Sequence, residues 1–77
     1  MNKPTYEEFE SAVRKRYREL CSDKDYNDFY LKEEKKGTVR DEYENNLYAV
    51  DHGWATYETM MNGGVNGCAY NLMMLTE

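Results

Sequence analysis

His52 and Cys68 are the side chains in this 77-residue chain whose types most directly suggest chemistry. Histidine titrates near neutrality and could serve as a general base or a pH switch. A thiol just after Gly63-Gly64-Val65-Asn66-Gly67 could act as a nucleophile at a helix N-terminus, where the dipole lowers its pKa. Neither residue has a second catalytic group placed beside it by sequence, and no flanking signature accompanies Cys68. Cys21, Cys68 and His52 also lack the short ligand spacing of a zinc motif. No catalytic residue, metal ion, cofactor or small-molecule substrate is therefore expected. The glycine stretch lacks the strand and the Lys-Ser/Thr of a phosphate-binding loop, and reads as a tight interhelical turn with positive φ angles.

Charge supplies the next candidates. Arg14, Lys15, Arg16 and Arg18 form one basic cluster, but Glu10 and Glu19 interrupt it and it spreads around a helix, as a solvated face does. The net charge of -5 is uneven: residues 1–36 balance nine basic against nine acidic side chains, whereas residues 37–77 hold Arg40 as their only Lys or Arg. An acidic half repels phosphate backbones, so direct nucleic-acid binding is disfavoured. A helix-turn-helix is excluded as well, because the would-be recognition helix opens Val39-Arg40-Asp41-Glu42-Tyr43-Glu44. Asp41, Glu44, Asp51 and Glu58 instead form an acidic face that could imitate a phosphate backbone and occupy the site of a basic protein.

These groups need elements to hold them. Thr5 with Glu8 fits a capping box, and Tyr6, Phe9, Val13, Tyr17 and Leu20 follow on one helical face that ends near Cys21. Ser22 with Asp25 repeats the cap before a shorter helix carrying Tyr26, Phe29 and Tyr30, which Gly37 ends. Thr38 with Asp41 is a third such cap.

The third helix carries the clearest pattern in the chain. Tyr43, Leu47, Val50, Trp54, Tyr57 and Met61 are spaced by four, three, four, three and four residues, within an arc of roughly 80°. Because the stripe keeps phase across Gly53, the spacing predicts one helix from Val39 to about Asn62, with a kink or break at Gly53 as the alternative. Asn62-Gly63-Gly64 then reads as a stop, followed by a buried helical segment bearing Cys68, Ala69, Leu72 and Leu75. In the pairs Met60-Met61 and Met73-Met74, one member of each should leave the core face.

Five Leu, four Val, two Phe and no Ile make a thin aliphatic inventory, which eight Tyr, five Met and one Trp supplement. The fold class expected is all-α: one domain over residues 1–77, of three or four helices with one long central helix. The first residues have no apolar stretch behind Lys3, and no run is long enough to span a membrane. Two cysteines are too few for a disulfide scaffold, so a cytoplasmic chain with reduced thiols is expected.

The function expected is a small non-enzymatic protein–protein interaction or assembly module that pairs through the stripe face, with itself as a homodimer or with a helix of another protein, and with Trp54 and Tyr57 as anchors. The stripe closes either from within or against a second chain. The alternative is an acidic inhibitor of a basic nucleic-acid-binding protein.

Overall fold

In the computed structural model, which describes residues 2–21 and 24–76, the chain is all-α, with no strand among those residues. It comprises α1 (Tyr6–Leu20), α2 (Lys24–Lys36), α3 (Thr38–Asp51), α4 (Tyr57–Thr59), a π-helical segment (Met60–Gly64) and α5 (Val65–Thr76). From Tyr57 to Thr76 the backbone is helical without interruption.

The first helix begins as its residues require. Glu8 N–H donates to Thr5 Oγ1 at 3.1 Å and Thr5 N–H donates to Glu8 Oε1 at 2.9 Å, a complete capping box. Phe9, Val13 and Tyr17 on one face of α1 are fully buried, and α1 packs against both α3 and α5. Tyr30 of α2, Val39 and Tyr43 of α3, Met60, and Val65, Cys68, Ala69 and Leu72 of α5 complete the core. Aromatic rings do much of the joining. Tyr43 meets Phe9 at 5.6 Å and the edge of Tyr6 at 5.7 Å, and Tyr17 meets Tyr30 at 5.4 Å.

Their hydroxyls are satisfied on the way in. Tyr43 donates to the Pro4 carbonyl at 2.7 Å, and Tyr30 donates to Glu10 Oε2 at 2.6 Å. Glu10 also pairs with Arg14 at 2.9 Å, so one carboxylate links α1 to α2.

The strut expected from Val39 to Asn62 is two pieces. Helix α3 ends at Asp51, and Gly53 sits at φ +74°. Trp54 N–H donates to the Ala49 carbonyl at 2.9 Å and Gly53 N–H to the Val50 carbonyl at 3.0 Å. These are the two hydrogen bonds of a Schellman motif, with glycine at its left-handed position. A new cap follows at once: Thr59 N–H donates to Thr56 Oγ1 at 3.1 Å and Thr56 N–H to Thr59 Oγ1 at 2.9 Å. Stripe phase survives the break because both pieces lay their apolar sides on the same core.

Two other boundaries differ from expectation. Gly37, at φ +95°, is itself the N-cap of α3, while the Thr38 hydroxyl turns back to donate to Glu33 at 3.2 Å. The Ser22–Asp25 cap lies outside the described residues. Asn62-Gly63-Gly64 does not stop the helix, and none of Gly63, Gly64 or Gly67 has positive φ. The chain crosses them as the π segment, which inserts a residue so that Met60 and Val65, five apart, both reach the core. Leu75, expected inside, is largely exposed.

Gly64 is needed for proximity rather than for its torsions. A methyl group there would run into the Asn46 side-chain amide, whose nitrogen donates to the Glu42 carbonyl at 2.8 Å. Gly64→Ala should therefore cost about 1–3 kcal/mol, the usual range for overpacking. Combining it with Asn46→Ala should return part of that loss in a double-mutant cycle read by urea unfolding. Strict additivity would contradict the contact.

Candidate functional site

The six stripe residues divide into an inner and an outer group. Tyr43 lies in the core, and Leu47, Val50, Tyr57 and Met61 are half-buried against it. Trp54 is 71% exposed. Trp54 therefore lies outside the internal core, because the Schellman turn lifts its indole off the packed face. Met60 takes the interior place beside the stripe, and Met61 remains at the edge.

The turn also explains how Trp54 is held. Residues just past a left-handed helix end commonly touch the last turns of that helix through an apolar contact. Here the indole meets Tyr48 edge-on at 5.9 Å and lies 5.0 Å from the His52 ring. His52 in turn stacks on Tyr48 at 3.9 Å, and its Nδ1 lies 2.8 Å from the Tyr48 carbonyl. Tyr48, His52 and Trp54 therefore form an ordered aromatic corner in solvent, with Tyr48 56% exposed. On one helix running through Gly53, His52 would lie opposite the stripe, beside Tyr48 and Thr59. The break at Gly53 carries Thr59 onto the next helix and brings Trp54 to His52 instead.

Cys68 does not have the setting of a nucleophile. It is 1% exposed, and burial pushes its thiol up to about 12, with the Glu42 carboxylate adding to the effect. A protonated, enclosed thiol is the reverse of what nucleophilic attack requires. The His52 ring instead packs on Tyr48 and Trp54. Among the described residues no group of three or more His, Cys, Asp or Glu side chains could hold a metal ion.

Burial has a consequence for alkaline stability. Cys68, Tyr30 and Tyr6 all hold their protons more tightly in the folded chain, desolvation being the main cause in each. A proton bound more tightly by the folded state stabilises it fully below the unfolded pKa and less as pH climbs past it. Stability should therefore hold to about pH 9, the ordinary thiol value, and fall from there toward pH 12. Cys68→Ala should flatten part of that fall in denaturant titrations. An unchanged slope in the variant would remove Cys68 from the account.

Asp41, Glu44, Asp51 and Glu58 are all exposed. Asp41, Glu44 and Asp51 share one side of α3 with Tyr48 between them, whereas Glu58 lies beyond the break on α4. The ion pairs among the described residues, Arg14–Glu10, Arg16–Glu19 and Lys36–Glu33, all belong to α1 and α2. The basic cluster is largely engaged within the fold. Arg16 donates to Asn66 at 2.7 Å and lies over the Tyr70 ring, and Arg18 donates to Asn27 at 3.3 Å.

One open groove lies between α1 and the π segment, about 510 Å³ in volume and lined by Ala12, Lys15, Arg16, Met61, Gly63 and Asn66 among others. No local pattern announces it, since it is formed by side chains of α1 and of the π segment some fifty positions apart in the chain. No helix of the described residues is long and apolar enough to cross a membrane. Compared with protein-family models, curated proteins and solved structures, the chain matches none of them.

Proposed function

We propose that this chain is a small non-enzymatic assembly module that associates with a second copy of itself through the outer part of the aromatic stripe. The observation carrying this reading is Trp54, 71% exposed and propped by two neighbouring rings. An indole fixed in place loses little conformational freedom on binding, and buried Trp and Tyr dominate interface energetics. The chain is also poor in aliphatic core residues, so leaving its only tryptophan in water is a cost that association would offset. Light-scattering mass across a concentration series tests the reading. The expected mass rises from one chain toward two, and a mass of one chain up to millimolar concentration would end it.

A second reading rests on the acidic side of α3, which is free of cationic partners among the described residues. Asp41, Glu44 and Asp51 on a rigid helix would imitate phosphates and block a basic nucleic-acid-binding protein, with Glu58 at the margin. Competition with DNA for basic DNA-binding domains should then weaken with salt and with charge reversal at the three α3 positions. Binding indifferent to salt would count against it.

A further inference from the structure

Self-association through Trp54 leaves open what receives the indole. Exposed Asp51 and Glu58 flank the Tyr48–His52–Trp54 corner in the chain, so two corners meeting face to face would bring like charges together. Residues 37–77 offer only Arg40 as Lys or Arg to relieve that repulsion. The corner therefore suits a surface of opposite charge.

The groove between α1 and the π segment has that character. Its lining joins Ala12, Met61 and Val65 to Lys15, Arg16 and Glu19, and because Arg16 is bridged to Glu19 at 3.3 Å the groove's net positive charge is that of Lys15. A methionine thioether and a rim cation are both favourable neighbours for an indole. Gly63 also lines the groove, where a methyl group would meet nothing within 4 Å.

We propose that the Trp54 corner of one copy docks into the α1–π-segment groove of a second copy. The indole lies over Met61 and Ala12, and Lys15 faces Asp51 and Glu58 across the contact. This partner assignment rests on the self-association reading above. The contact is one between unlike surfaces, and it closes at two copies only when each corner enters the other copy's groove.

The test uses two variants of the full chain, each spoiling one side. Trp54→Ala removes the inserted side chain. Lys15→Glu with Gly63→Glu reverses the rim charge and fills the groove from a position where a side chain has free space and φ is not positive. Circular dichroism and urea midpoints check that both fold, and Lys15→Glu alone serves if the double variant does not. Each variant alone should associate at least about 30-fold more weakly than the wild type in sedimentation equilibrium. An equimolar mixture should form a one-to-one pair, because the groove variant's intact corner meets the Trp54→Ala chain's intact groove. Wild-type association should also weaken with salt.

A groove variant that pairs as well as the wild type overturns the docking and leaves corner-to-corner contact. Two monomeric variants that stay apart when mixed overturn it too. A wild-type chain that never associates instead removes the self-association reading itself.

Discussion

Phe9→Ala lowers the unfolding free energy by about 3–5 kcal/mol, the usual cost of emptying a buried aromatic site. Phe9 is 0% exposed, and its ring lies 5.6 Å from that of Tyr43 where α1 crosses α3. The cavity would open beneath Tyr43, whose hydroxyl is committed to the Pro4 carbonyl at 2.7 Å and limits how far the ring can follow. At roughly 0.05–0.15 kcal/mol per residue, a chain of this length has about 4–12 kcal/mol in total. The variant should therefore lose a large share of its stability and unfold at much lower urea. A loss under about 1 kcal/mol would mean that the α1–α3 contact is not the centre of the core.

Trp54→Ala behaves in the opposite way. Were the indole packed inside, its removal would cost about as much as that of Phe9. Because it is 71% exposed, only its contacts with Tyr48 and His52 at the helix end are lost, about 0.5–1.5 kcal/mol. Its large effect falls on association, which should weaken by about 2 kcal/mol or more, roughly 30-fold. Parallel urea unfolding and sedimentation equilibrium on one preparation separate the two effects. A variant that unfolds easily yet pairs normally would reverse the roles assigned to Phe9 and Trp54.

The contrast shows what could be read from residue order. The α1 face and its Thr5–Glu8 box were legible because each depends on contacts within a few residues. The stripe was legible as an apolar face but not as a break. Gly53 followed by an aromatic residue, and Thr56 three before Thr59, are local signs of an ending and a restart. They were outweighed by a phase that both pieces share only because both rest on one core.

The remaining differences come from contacts between distant segments. The π segment at Met60–Gly64 fits because Gly64 lies against Asn46, eighteen positions earlier, and no local pattern announces that approach. Cys68, expected in a buried helical segment, is buried there, and that burial keeps its thiol protonated. The aromatic corner is intermediate. Tyr48 and His52 were placed together by helical spacing, while Trp54 joins them only through the turn.

The most direct measurement is the fluorescence emission of Trp54, the chain's only tryptophan, followed with light-scattering mass over the same concentrations. At low concentration the emission should be that of an indole in water. It should move to shorter wavelength, with quenching agents losing access, as the mass rises from one chain to two. Emission that stays water-like while the mass doubles would contradict the account, since the chain would then associate without burying Trp54.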